Sequence, residues 1–223
     1  MKNKGYFHQI ASYAIFWYDI GMTFEELSEK IRNIQPKHSQ LLIGIDGGGG
    51  AGKTTLANKL AEVLGATIIR LDDLYKTKKD RAHEKQNSDI NVDFDWERIE
   101  KEIFIPIKNN TPITYQFYDW SKDAITHTID VPVDKPIIIE GGYSLQSKFF
   151  NEYDFTVFVE APEDLRLQRA LVRDGEHMRP YWETTWLPAD KRYKETQQPH
   201  LKADLIVSGS KSDFPNNLIV VES

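Results

Sequence analysis

The stretch LLIGIDGGGGAGKTTLANKLAEVLG, Leu41 to Gly65, decides the fold. Gly47, Gly52, Lys53 and Thr54 fit the spacing G-x-x-x-x-G-K-[ST], in which glycines let the backbone curl so that successive N–H groups point inward at a polyphosphate. In such a loop Gly48, Gly49, Gly50 and Ala51 form the turning backbone, Lys53 reaches the terminal phosphates, Thr54 offers its hydroxyl to Mg²⁺, and Thr55 completes the mouth. Upstream, Leu41, Leu42, Ile43 and Ile45 suit a strand buried on both faces. Downstream, Leu56, Leu60 and Leu64, backed by Ala57 and Ala61, recur every fourth residue until Gly65 offers a C-cap. Strand, loop and helix therefore occur in the order that aims a helix N-terminus at an anion. The spacing alone arises by chance in roughly one chain in a hundred of this length, and the flanking pattern makes chance rarer still.

The chain has 223 residues, enough for one α/β domain with an extension. Residues 1–38 read as an N-terminal helical extension and 39–223 as the nucleotide-binding domain. Within the extension, Thr23 with Glu26 resembles a capping box, and Phe24, Leu27 and Ile31 share one helical face. The net charge is −6, with 34 acidic against 28 basic residues, and no lysine or arginine run interleaves with aromatics, which argues against a nucleic-acid groove. There are no cysteines, so disulfides, thiolate metal sites and cysteine nucleophiles are excluded. The aromatic stretch GYFHQIASYAIFWYDIG is broken by His8, Gln9, Ser12 and Asp19, leaving no membrane span and no signal-peptide core; a cytoplasmic location is expected. The sequence carries no signal of oligomeric state.

Further buried strands are expected at TIIRL (67–71), PIIIE (136–140), DFTVFVE (154–160) and ADLIV (203–207). They alternate with helical stretches, DWERIEKEIFIPI near 95–107 and APEDLRLQRALVRD with Pro162 at its first position. Strands separated by helices imply an α/β fold of the P-loop NTPase kind, a doubly wound, mostly parallel sheet flanked by helices. Ligands of such a sheet lie outside the carboxyl ends of its strands.

That rule singles out the residues ending each strand. Asp72 and Asp73 close the second, where a carboxylate can accept a proton from an attacking hydroxyl or help order Mg²⁺. Glu140 closes the third, a place from which an acid binds Mg²⁺ directly or through water. Arg166, Arg169 and Arg173 follow the fourth at i, i+3 and i+7, with Arg179 a little beyond; such a stripe either closes over a nucleotide or forms a solvated face.

Taken in order, IGIDGGGGAGKTTLA, LDDLYK, FDW, YDW, IIIEGGYSL, DLRLQRALVRD and ADLIV resemble the uridine kinase and phosphoribulokinase family of P-loop kinases over roughly residues 40 to 208. The resemblance implies the nucleoside/nucleotide kinase type of fold, with ATP as phosphoryl donor and Mg²⁺ as cofactor. It makes Asp72 the base toward the acceptor hydroxyl, with Leu74 in place of the family's phenylalanine and Tyr75 retained. It assigns Glu140 to the metal, Arg173 and Arg169 to the phosphates, and Tyr118 to the border of a nucleoside. The family's TTHSR segment is absent, its lid ERGR is replaced by GEHMRPYW with Arg179 as the imperfect match, and Asp93 in NVDFDW stands where a further substrate carboxylate is expected.

These features predict an ATP- and Mg²⁺-dependent kinase acting on a hydroxyl of a small molecule, most simply a nucleoside, since Tyr75, Tyr118 and Trp120 favour a flat, uncharged acceptor. A sugar phosphate, a pantothenate-like acid or a vitamin riboside is the alternative acceptor. A nucleotide-binding regulator or ATPase switch is the rival of another class; no N-K-x-D guanine motif occurs, and Asp72 would have no part in it. The polar segment 76–92 is either a lid on the substrate side or a surface loop.

Overall fold

The computed structural model describes residues 19–84, 93–132, 134–211 and 214–221. The aromatic segment before Asp19, and 85–92 of the polar connection, lie outside the described residues. In chain order the elements are β1 (Asp19–Thr23), α1 (Phe24–Arg32), β2 (Leu42–Asp46), α2 (Lys53–Leu64), β3 (Thr67–Arg70), α3 (Lys78–Glu84), α4 (Trp96–Ile99) and α5 (Ile105–Asn109). They continue with β4 (Ile113–Asp119), β5 (Ala124–Val131), β6 (Ile137–Glu140), β7 (Phe155–Glu160), α6 (Glu163–Asp174), α7 (Arg179–Tyr181), α8 (Leu187–Gln197), α9 (Pro199–Lys202), β8 (Leu205–Ser208) and β9 (Asn217–Val221).

The main sheet runs β1-β9-β8-β7-β2-β6-β3. Strands β3, β6, β2, β7 and β8 are parallel, as the alternation of strands and helices predicts, while β9 is antiparallel to β8 and β1 antiparallel to β9. β2 is buried along its length because β6 and β7 flank it and helices cover both faces. Ile43, Ile45, Ile138, Val157 and Val159 face α1 and α2, packing with Phe24, Leu27, Ile31, Leu56 and Leu60. Leu42, Ile137, Ile139 and Ile69 face the other way, toward Ile99, Ile103, Phe104 and Tyr193. The period of two along each strand thus feeds two cores. The capping box holds: Thr23 Oγ1 accepts from the Glu26 N–H at 3.1 Å and Glu26 Oε2 from the Thr23 N–H at 2.7 Å, a cap of the kind that contributes about 1 kcal/mol.

Three local differences from the sequence pattern matter. Leu71 leaves the strand and opens a 3₁₀ turn, Leu71–Leu74, which swings Asp72 out of the sheet. The helix expected over 95–107 reaches Asn109 through a π-helical stretch, Glu100–Phe104, just before Pro106, whose missing N–H and ring disrupt ordinary i→i−4 bonding. Pro162 is extended (φ −54°, ψ 143°) and precedes α6 instead of opening it. The β4–β5 hairpin is not among the strands expected from the sequence, although ITYQFYD and AITHTIDV both alternate apolar with polar residues; β4 buries Ile113, Tyr115 and Tyr118, while β5 is mostly exposed. No helix among the described residues is long and apolar enough to cross a membrane.

Candidate active site

The loops after β2, β3, β6 and β8 meet α6 and the helical turns after it around a cavity of about 970 Å³. This is the crevice outside the carboxyl ends of the strands, beside β2, from which the chain passes to β3 on one side and later crosses from β6 to β7 on the other. Gly49, Gly50, Gly52, Lys53, Thr54 and Thr55 line it. Gly48 and Ala51 turn inward: Ala51 is fully buried and donates its N–H to the Gly48 carbonyl at 3.1 Å. Gly50 takes a left-handed φ of 79°, and a β-carbon there would strike the Arg166 backbone. Helix α2 opens from Gly52 with no side-chain cap and no acidic residue in its first turn, leaving its positive end to the cavity.

Lys53 Nζ donates to the Gly48 carbonyl at 3.1 Å, which folds it back over the loop. Thr54 Oγ1 donates to Glu140 Oε1 at 3.2 Å. The β2–β6 register places Glu140 beside Ile45, so the end of β6 carries its carboxylate to the start of α2. Burial pushes the Glu140 carboxyl up, against the opposing charges of Lys53 and Arg70; Arg70 Nε lies 3.6 Å away.

Asp72 reaches the cavity from the 3₁₀ turn. Its open surface faces that cavity while protein surrounds it elsewhere, and this desolvation raises its carboxyl above the ordinary carboxylate value, with Lys53, Arg173 and Arg70 pulling it down. Asp73 points to the hairpin, where Tyr115 donates its hydroxyl to Oδ2 at 3.3 Å; burial pushes Asp73 up to about 6. Trp120 Nε1 donates to the Asp72 carbonyl at 3.1 Å, which ties the hairpin to the turn. Trp120, Tyr75 and Phe94 then form one aromatic wall, with Tyr75 4.6 Å and 4.3 Å from its neighbours by ring centroid.

Tyr118 is not part of that wall. It is buried behind Tyr75, centroids 6.5 Å apart, with its hydroxyl donated to Asp123 at 2.7 Å. Asp93 does not line the cavity either; its carbonyl accepts from the Lys76 N–H at 3.0 Å beside the Tyr75–Phe94 bridge. On α6 the arginines diverge. Arg169 lines the cavity and donates to the Gly209 carbonyl at 2.8 Å, Arg173 lines it while held by Asp174 at 2.7 and 2.9 Å, and Arg166 turns inward beneath the loop. Arg179 points away, paired with Glu176 and Glu183. Tyr143, from the IIIEGGYSL segment, lines the cavity as well, and residues without a sequence motif complete the walls: His177, Trp182, Trp186, Asp190, Lys211 and Phe214. The two tryptophans of PYWETTW, spaced i and i+4, were the available signal for the lid.

Asp46, at the end of β2, organises the floor. It accepts from the N–H groups of Gly47, Tyr143 and Leu145 at 2.6, 2.9 and 2.9 Å and from the Tyr193 hydroxyl at 2.7 Å. Burial pushes its carboxyl up to about 6 against the hydrogen bonds from Tyr193, Leu145 and Gly47 and the charge of Lys53.

Comparison with known proteins agrees with this geometry. The model of the Phosphoribulokinase / Uridine kinase family matches residues 42–179, more than half of the chain. A uridine kinase of Ureaplasma parvum is 27% identical over 184 residues, covering 75% of this chain and 88% of the relative. One of Borrelia duttonii is 34% identical over 141 residues, covering 60% and 66%. A solved structure described as a possible uridine kinase from Bacillus stearothermophilus shares the fold with a TM-score of 0.64 at 24% identity, over 82% of this chain and 95% of that one. With the loop, the strand-end acids and the family match in agreement, the chain belongs to the phosphoribulokinase and uridine kinase family and is an ATP-dependent kinase of small molecules.

Proposed function

We propose that the acceptor is an uncharged molecule with a flat ring, a nucleoside above all, and that Mg²⁺ accompanies ATP. The observation that carries this is the division of the cavity. Its lining lysines and arginines, Lys53, Arg169, Arg173 and Lys211, belong to the phosphate loop, α6 or the segment after β8, whereas Asp72 adjoins the aromatic wall of Tyr75, Phe94 and Trp120. A sugar phosphate or a carboxylic acid needs a cation at its own end; the cavity-lining lysines and arginines all lie at the other, and Arg81 of α3, which approaches the wall, stacks over the Tyr75 and Trp120 rings at 5.5 Å from each centroid and is not among the residues lining the cavity. The names of the curated relatives, uridine kinases, support the same choice.

Thr54 and Glu140 fit Mg²⁺: a hydroxyl and a carboxylate are hard oxygen donors, and the pair converges at the mouth of the phosphate loop. When bound, Mg²⁺ neutralises charge on the phosphates. The chain's own part is to hold and align. The loop amides and Lys53 grip the phosphates, the aromatic wall orients the acceptor, and Asp72 takes the hydroxyl proton as the oxygen attacks. Arg173 meets the charge that develops on the transferring group.

Asp72 works as a base only when ionised. Because its carboxyl is raised, activity should fall as pH drops through a value above the ordinary carboxylate range of about 4. The pH profile of kcat/KM is expected to show that single-proton limb, and the residual activity of Asp72→Asn to lack it. A limb that persists in the variant assigns the titration to another group.

Arg173→Ala is expected to lower kcat by about 10- to 100-fold while raising the KM for ATP much less, since the charge it meets grows toward the transition state. A rise in KM alone would place Arg173 in ground-state binding.

The function itself is tested by ADP release from purified protein with ATP, Mg²⁺ and a panel of nucleosides, free sugars, sugar phosphates and hydroxy acids. Release that depends on a nucleoside is the expected result. Release that depends only on a phosphorylated sugar, or on no acceptor at all, overturns the proposal.

A further inference from the structure

The family match ends at residue 179, and the helical rod beyond it carries a carboxylate that no motif assigns. Asp190 lies in the first turn of α8. Its Oδ2 accepts from the Gly49 N–H at 2.9 Å and from Arg166 Nη1 at 2.8 Å, and its Oδ1 accepts from the Tyr143 hydroxyl at 3.2 Å. One side chain thereby joins the phosphate loop, α6 and the turn after β6. The pair is shielded, with side-chain exposures of 11% for Arg166 and 14% for Asp190. A shielded ion pair is stable only when further hydrogen bonds offset its desolvation, and here three donors share two oxygens.

A purely structural ion pair would account for the burial but not for the place. Gly49 lines the cavity in the same loop as Lys53 and Thr54. Eight residues before Asp190, Trp182 lays its ring where a β-carbon of Gly49 would be. The Trp182 Nε1 donates to Asp174 Oδ2 at 3.0 Å, and Asp174 is the residue that holds Arg173. The rod therefore grips the Gly49 peptide at its N–H through Asp190 and at its α-carbon through Trp182. The second grip continues to an arginine of the cavity wall.

We propose that Asp190 is a positioning residue: it fixes the Gly49 peptide of the phosphate loop and registers the lid on that loop, so that Lys53 and Arg173 converge on the transferring phosphoryl group. Its effect belongs to alignment more than to affinity. Displacing a catalytic constellation by about 1 Å lowers rate by about 10²-fold without removing any group that binds substrate.

Asp190→Ala removes all three hydrogen bonds. Asp190→Asn keeps an oxygen for the Gly49 N–H and an amide that can donate to the Tyr143 oxygen, and loses only the charge opposite Arg166. Three quantities separate the cases: Mg-ATP affinity by calorimetry, tryptophan emission, and kcat at saturating ATP. Asp190→Ala is expected to bind Mg-ATP within about threefold of wild type, to lose about 10²-fold in kcat, and to shift tryptophan emission to the red as Trp182 leaves Gly49. Asp190→Asn is expected to recover kcat to within about threefold. If the alanine variant does not fold, Asp190→Ser, too short to span the same gap, carries the same expectations. Wild-type kcat and emission in the truncated variants overturn the proposal. So does an asparagine variant as impaired as alanine, or a loss of kcat that tracks loss of ATP binding and a lower Tm. The turnover arm rests on the kinase reading. A wild type that binds Mg-ATP but phosphorylates no acceptor counts against that reading alone, while affinity and emission still decide the case of Asp190.

Discussion

Asp72→Asn is expected to lower the rate of phosphoryl transfer by about 10²- to 10⁴-fold, or roughly 3 to 5 kcal/mol in barrier. Asparagine keeps the size of aspartate and its place in the 3₁₀ turn but takes up no proton at neutral pH, so the change separates basicity from shape. The fold should be indifferent, since the contact that fixes this turn to the hairpin uses the Asp72 carbonyl, not its carboxylate. Mg-ATP affinity should change little, because the phosphates are held by the loop around Lys53. Asp73→Asn is the internal control: its carboxylate faces Tyr115 in the hairpin and does not line the cavity. Single-turnover transfer measures both. A crippled Asp73 variant beside a mild Asp72 variant would show that the base has been placed one residue out of register.

Lys53→Ala is expected to reduce kcat by about 10²- to 10³-fold, roughly 3 to 4 kcal/mol, and to weaken Mg-ATP binding as well. Lys53 stands at the start of α2, where the helix end, the loop amides and the ammonium add their positive potentials at one point. Its side chain donates to the Gly48 carbonyl and contributes little to either core, so the thermal unfolding midpoint should stay within a few degrees of wild type, as for a change of about 0.5 kcal/mol. Turnover equal to wild type would refute the role. A collapse in Tm would instead make Lys53 a structural residue of the loop.

How far the chain could be read before folding is clear from particular residues. The phosphate loop was legible because its chemistry is local: Gly47 to Thr54 specify their own backbone, and a buried strand and an amphipathic helix flank them. Glu140 was legible because a carboxylate ending an apolar run at a ligand edge has few other uses. Asp72 was found for the same reason, although the turn that aims it begins one residue earlier than the pattern suggests. Tyr118 and Arg179 matched by order along the chain, yet the hairpin buries the first and two glutamates draw the second outward. Asp190 offered no sequence signal. It gains its place through partners far along the chain, and a hydrogen bond between residues 47 apart leaves no periodicity to detect. The hairpin was legible in principle, since ITYQFYD and AITHTIDV alternate apolar with polar residues, but it forms a separate two-stranded sheet outside the strand–helix alternation that organises the rest.

The arrangement at the far side of the sheet, where β1 pairs with β9, bears on how the molecule avoids its neighbours. A strand at the rim of a sheet displays unpaired N–H and C=O groups, which makes it a template for another chain. Without β1, that rim would be β9, whose NLIVV segment is apolar and of strong β propensity. Among the described residues the rim with β1 in place is instead a five-residue strand that begins with an aspartate and carries a glycine at its centre, a poor surface on which to extend a ladder. The strand ahead of the nucleotide-binding motif thus pairs the backbone groups that β9 would otherwise display, a contribution unrelated to phosphate chemistry and made by the main chain alone.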